Sequence, residues 1–122
     1  MEQMQIKVTL EQAGVDYDKG LERFMGNVAL YHKFLLKFLV DGSYADFVKE
    51  LAAGDLVLAE KSVHTLKGTS GNLSLMRLFE AADATVQAIR TGQGSEEIKE
   101  LAEKVGESYE ETCQAIRLSI GE

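Results

Sequence analysis

The segment that decides the fold reads Asp55-Leu-Val-Leu-Ala-Glu-Lys-Ser-Val-His-Thr-Leu-Lys-Gly-Thr-Ser-Gly-Asn-Leu73. Asp55 is a residue type that caps helices, and apolar residues then recur along the segment at helical steps. The spacing predicts one helix with a buried stripe that consists of Leu56, Ala59, Val63, Leu66 and Leu73, with Ser70 in the gap. Such a stripe needs other helices to cover it.

The rest of the chain predicts further helices with short connections. No proline occurs in the 122 residues, and most of the 11 glycines separate periodic segments. Asn27, Ser43 and Ser95 are placed to cap three more helices, and Thr9-Leu-Glu-Gln12 predicts a single opening turn that ends at Gly14. We therefore expect an all-α protein, an antiparallel up-and-down four-helix bundle with short additional N-terminal helices.

Charge and composition exclude several classes of function. The 13 basic and 20 acidic residues give a net charge of −7 at pH 7, and no local basic patch offsets it, so neither nucleic acid nor an anionic membrane surface is an expected partner. No apolar run reaches the roughly 18 residues of a membrane span, and the first residues do not resemble a signal peptide. The single cysteine, Cys113, cannot form an internal disulfide and is expected to be buried. We expect a monomeric, cytoplasmic protein.

His64 is the candidate functional residue, because the helical register places it beside the buried stripe and not within it. Its flank of the helix also carries two lysines and two glycines, namely Lys61, Lys67, Gly68 and Gly71. Two glycines inside a helix cost roughly 1 kcal/mol each relative to alanine, which indicates a role other than stability. The missing side chain at Gly68, one turn after His64, leaves the imidazole ring open to another protein.

The residues around His64 suit phosphoryl transfer. Histidine is largely neutral at cytoplasmic pH, and a neutral imidazole is a competent nucleophile toward an activated phosphoryl group. Lys67, one turn away, can partly neutralise the phosphoryl oxygens, and Lys61 on the preceding turn can assist. The residues expected to contact a protein partner are Lys61, Thr65, Thr69, Gly71 and Asn72.

At the level of motifs, His64-Thr-Leu-Lys-Gly68 followed by Thr69-Ser-Gly-Asn-Leu73 resembles the phosphoacceptor motif of histidine phosphotransfer (HPt) domains. Residues 26–38 look like the helix that precedes this motif in the family. The resemblance covers roughly residues 10–118, and it predicts a single HPt domain over residues 1–122 with its core in that range.

The resemblance implies a phosphorelay intermediate of two-component signalling. His64 would reversibly accept a phosphoryl group from a receiver-domain aspartate, with Lys67 as the electrostatic helper and Gly68 as the clearance position. The partners would be receiver domains of response regulators or of hybrid histidine kinases, and the Mg²⁺ would be bound by the receiver. No autonomous ATP-dependent kinase activity and no cofactor on this chain are expected. Ser74 departs from the family pattern, because such domains more often carry glycine there.

Two other functions remain open from the sequence. One is a scaffolding helical bundle that binds a protein partner without being phosphorylated. The other is the phosphoacceptor domain cut from a chemotaxis-type histidine kinase, in which an attached catalytic domain phosphorylates the histidine. His32 serves as an internal comparison: leucines follow it at the offsets where His64 has Lys67 and Gly68, and it is interpreted as an ordinary exposed histidine.

Overall fold

A computed structural model describes residues 1–121, and this part of the chain forms an all-α structure with seven helices. The helices are α1 (Gln3–Gln12), α2 (Tyr17–Arg23), α3 (Val28–Phe38), α4 (Ser43–Ala52), α5 (Leu56–Asn72), α6 (Met76–Arg90) and α7 (Ser95–Ile120). The all-α class and the short N-terminal helices are confirmed. Among the described residues, no helix combines the length and the apolar character that crossing a bilayer requires.

Two of the four predicted helix caps are confirmed. The side chains of Asn27 and Asp55 each accept a hydrogen bond from the backbone N–H three residues later, at 3.0 and 3.1 Å. The caps predicted at Ser43 and Ser95 are wrong, because each serine is the first helical residue and a glycine precedes it as the N-cap. At the start of α4, the carboxylate of Asp41 accepts instead from both the backbone N–H and the hydroxyl of Ser43.

The first helix is longer than the sequence predicts. It begins at Gln3 and passes through Thr9, so the expected single opening turn is wrong. Ile6 and Leu10, one turn apart, are buried, and α1 packs along α7. Tertiary packing of this apolar pair therefore stabilises the helix beyond one turn. The chain leaves α1 through Gly14, whose φ of 89° lies in the left-handed region that favours glycine.

The most extensive packing joins the last four helices in chain order. α5 packs against α4 and α6, α6 packs against α7, and α7 also contacts α1 and α3. The largest fully buried side chains include Tyr17, Tyr31, Phe38, Phe47 and Leu66, which belong to four different helices but to one core. Cys113 is buried in the same core, as expected, and burial raises the pKa of its thiol.

Two loops brace the end of α5. The N–H of Asp16 donates to the carbonyl of Ser74 at 2.9 Å, and the N–H of Met76 donates to the carbonyl of Gly14 at 3.0 Å. Ser74 has a φ of 59°, and its buried hydroxyl has no hydrogen-bond partner within residues 1–121. Glycine adopts this backbone conformation without strain, so the conformation gives a physical reason to expect glycine at this position.

Candidate functional site

The exposure of His64 follows from how α5 is held. Asp55 caps the helix, and Ala59, Val63 and Leu66 are fully buried against the neighbouring helices. The predicted burial of Leu56 is wrong, because this residue of the first turn is 43% exposed. A residue directly after Val63 is rotated by about 100° from the buried stripe. The side chain of His64 is accordingly exposed, as the helical register predicts.

The surroundings of the two histidines differ. His64 is exposed, and within residues 1–121 its ring forms no hydrogen bond with another residue. The Nε2 of His32, in contrast, lies 2.6 Å from the hydroxyl of the buried Tyr17. Burial lowers the pKa of His32. The interpretation of His32 as an ordinary exposed histidine is therefore wrong, because its ring is half-buried and bonded to the core.

The two glycines that follow His64 serve different purposes. A Cβ built at Gly68 would meet no atom within 4 Å, so the helix surface there is open. A Cβ at Gly71 would lie 3.1 Å from two ring carbons of Phe79 on α6. Close packing of α6 thus accounts for Gly71 within the fold itself, whereas nothing inside the fold requires Gly68 to lack a side chain.

Lys67 is held by a residue that the sequence analysis did not single out. Its ammonium group lies 2.9 Å from a carboxylate oxygen of Asp83 on α6 and 6.0 Å from the centre of the Phe79 ring. The hydrogen bond from Lys67 is the main reason that the pKa of Asp83 is lowered. Lys67 is only partly exposed, and in the free protein its charge is shared with Asp83.

The other predicted contact residues lie along the same surface of α5. Lys61, Thr65 and Asn72 are exposed, and the Thr65 hydroxyl donates to the carbonyl of Lys61 at 3.1 Å. Thr69 is half-buried. Thr69 and Asn72 border a pocket of about 350 Å³ whose opposite wall is formed by Phe24, Phe34, Lys37, Phe38 and Asp41. The structure therefore adds residues of α3, and Phe24 directly after α2, to the surface that the sequence confined to α5.

The fold and this surface define an all-helical protein with one solvent-facing histidine beside open backbone and a nearby lysine. Within the described part of the chain, no three histidine, cysteine, aspartate or glutamate side chains are grouped as a metal site. Models of known protein families, curated protein sequences and solved structures were compared with the chain, and none of them matches it.

Proposed function

We propose that this protein is a histidine phosphotransfer module, a phosphorelay intermediate that carries a phosphoryl group on His64 between receiver domains. The observation that carries the proposal is the exposed imidazole with empty space above Gly68 on the next turn. That space lets a second protein bring its own reacting group up to the ring. A scaffolding bundle would gain about 1 kcal/mol from alanine at this position and has no reason to leave it bare.

In the proposed reaction, the lone pair of one nitrogen of His64 attacks the phosphorus of an aspartyl phosphate on the receiver. The N–P bond forms while the P–O bond to the aspartate breaks, and the receiver carboxylate leaves with the electron pair. The reverse reaction donates the group to another receiver. Lys67 neutralises part of the charge on the phosphoryl oxygens, for which it must share or exchange its contact with Asp83. Mg²⁺ belongs to the receiver in this scheme.

The finer architecture that we propose is an antiparallel up-and-down four-helix bundle. α5, α6 and α7 would each occupy one position, and α3 and α4 together would occupy the fourth, interrupted at residues 39–42. The order of packing supports this arrangement, because α4 packs on α5, α5 on α6, α6 on α7, and α7 on α3. Connections of only three or four residues between α4, α5, α6 and α7 favour antiparallel neighbours.

The proposed partner surface consists of the exposed part of α5 around His64 and the adjoining pocket bordered by Phe24 and Phe34. Phe34 is 38% exposed, which gives the surface an apolar contact point. We expect an interface of at most about 1,200 Å² in total with a monomeric module, because a relay must release each partner after transfer. The expected compartment is the cytoplasm, where the receivers act.

The main experiment follows the phosphoryl group directly. A purified receiver domain is charged with a small phosphodonor, mixed with the protein, and the protein is then analysed by intact-mass and peptide mass spectrometry under neutral conditions. We expect one acid-labile phosphoryl group on His64, none on the His64→Gln variant, and undiminished labelling of the His32→Gln control. Labelling that persists in His64→Gln would refute the proposal. Labelling by no member of a receiver panel would leave the scaffold function.

A second experiment isolates the part played by Lys67. Lys67→Ala and Asp83→Asn both remove the ion pair between α5 and α6, but only the first removes the positive charge. We expect Lys67→Ala to slow phosphoryl transfer by roughly tenfold or more and Asp83→Asn to leave it unchanged or faster. Equal slowing by both variants would show that the ion pair acts only on structure.

A further inference from the structure

A long groove lies between α4 and α7, outside the His64 surface. α4 packs along α5, and its first turn reaches α7 through Tyr44, whose ring stacks on Tyr109 with 4.2 Å between the centres. The Tyr44 hydroxyl sits so close to Gly106 that a Cβ there would be 2.7 Å from it. Beyond this contact a groove of about 1080 Å³ separates the two helices, and the apolar part of its lining, called the groove floor below, includes Phe47, Val48, Leu51, Ile98 and Ala102.

The shape of the groove fits a helix. Its α7 wall extends from Ser95 to Glu110 along one face of α7, which corresponds to about 22 Å at 1.5 Å per residue. Apolar side chains remain uncovered along it, since Val48 is 45% and Leu56 is 43% exposed. Grooves of this kind commonly bind the apolar face of an amphipathic helix, with anchors one turn apart. A helix of about 16 residues spans the groove.

The charged residues along the α7 side of the groove favour a helix that carries basic residues. Glu103, Glu107 and Glu110 line the α7 side and are exposed, and none of them takes part in an ion pair within residues 1–121. Lys99 is the one basic residue of the lining. A helix with lysine or arginine beside its apolar face therefore complements the groove. A second copy of this chain is disfavoured, because a two-fold contact through the groove would bring the three carboxylates of each copy together.

We propose that the groove between α4 and α7 binds an amphipathic helix of a protein partner, with its apolar face on the groove floor and its basic flank against Glu103, Glu107 and Glu110. The lining of the groove includes no residue of the His64 surface. Binding there therefore leaves His64 accessible, and such a partner tethers the module without blocking phosphoryl transfer.

The test uses a fluorescein-labelled helical peptide of about 16 residues built only of leucine and lysine, with leucines along one face. Fluorescence anisotropy measures its affinity, and amide chemical-shift changes in NMR spectra locate the contact. The controls are a peptide of the same composition in scrambled order and one in which glutamate replaces lysine. We expect the first peptide alone to bind, with shift changes on α4 and α7, and we expect salt to weaken it.

Matched variants make the test specific. Glu103→Lys should weaken binding roughly three- to tenfold, whereas Glu100→Lys, which changes an exposed glutamate of the same helix outside the groove, should not. Val48→Lys should weaken it about tenfold, whereas Val57→Lys, at a position 80% exposed and outside the groove, should not. The proposal would be overturned if the two variants of either matched pair weakened binding equally, or if the amide chemical shifts changed around His64 and not on α4 and α7. Self-association of the protein that Val48→Lys abolishes would also overturn it. His64→Gln must bind as the unmodified protein does.

Discussion

Gly68→Ala is predicted to stabilise the protein. Gly68 lies in the interior of α5, and a Cβ added there meets nothing within 4 Å. Alanine should therefore stabilise the folded protein by about 1 kcal/mol, which is the difference in helix propensity between the two residues. Part of this difference arises because alanine restricts the unfolded chain, and the added methyl group introduces no steric strain. For a chain of this length, about 1 kcal/mol corresponds to a rise of roughly 3–5 °C in Tm.

Gly71→Ala is the matched control for this prediction. The same substitution three residues later brings a Cβ within 3.1 Å of the Phe79 ring, which must shift by a few tenths of an ångström. The gain in propensity is then offset by the lost packing, and we expect a smaller rise in Tm or a fall. Urea and thermal unfolding followed by circular dichroism measure both variants. Destabilisation by Gly68→Ala would refute the reasoning that this surface is open.

A different substitution at Gly68 tests the rate of phosphoryl transfer independently of the stability of the fold. Gly68→Gln keeps a good helix former but extends a long side chain into the space beside His64. We expect this variant to remain at least as stable as the unmodified protein and to accept phosphoryl groups from a charged receiver at least about tenfold more slowly. Unimpaired transfer by a folded Gly68→Gln protein would contradict the clearance role.

Three further predictions concern the fold. Tyr31→Phe removes the hydroxyl that donates to the buried carbonyl of Leu73 at 2.8 Å, so the free energy of unfolding in urea should fall by about 1–3 kcal/mol; no loss would mean that this carbonyl finds another donor. Ser74→Gly relieves the positive φ and removes an unpartnered buried hydroxyl, and it should raise the same free energy by about 1 kcal/mol; a decrease would contradict the strain. Burial lowers the pKa of His32 in the folded protein, so as pH falls below about 6.5 the unfolded chain takes up the proton first and stability declines. Unfolding measured at pH 7.5 and pH 5.5 should show a smaller decline for His32→Gln than for the unmodified protein, and equal declines would exclude His32 as a source.

The sequence predicted those features that depend on one helix at a time. The register of α5 placed Val63 and Leu66 in the core and His64 outside it, because a single buried stripe fixes the rotation of the whole helix. The caps at Asn27 and Asp55 were also predictable, since an N-cap bond involves only residues within one turn.

Contacts between helices could not be predicted in the same way. Asp83 is 16 positions beyond Lys67 on another helix, and its approach depends on the rotation and height of α6 against α5. The contact between Tyr17 and His32 likewise lies between two helices, α2 and α3, whose relative placement depends on the loop that connects them. No local pattern in the sequence encodes these offsets, so the ion pair of Lys67 and the half-buried state of His32 were both missed.

The ion pair between Lys67 and Asp83 is compatible with a helper role because it is weak enough to be exchanged. Both side chains are partly exposed, at 25% and 40%, and pairs of this kind are worth at most about 1 kcal/mol once solvent screening is included. In the proposed relay, a phosphoryl group on His64 would present a charge approaching about −2 and three acceptor oxygens, which would compete favourably with one carboxylate. The proposed helper role therefore requires only that Lys67 exchange a weak contact with Asp83 for a stronger anion. In the proposed function, the open surface at Gly68 would admit the incoming protein, and Lys67, whose contact with Asp83 is replaceable, would stabilise the charge that this protein delivers.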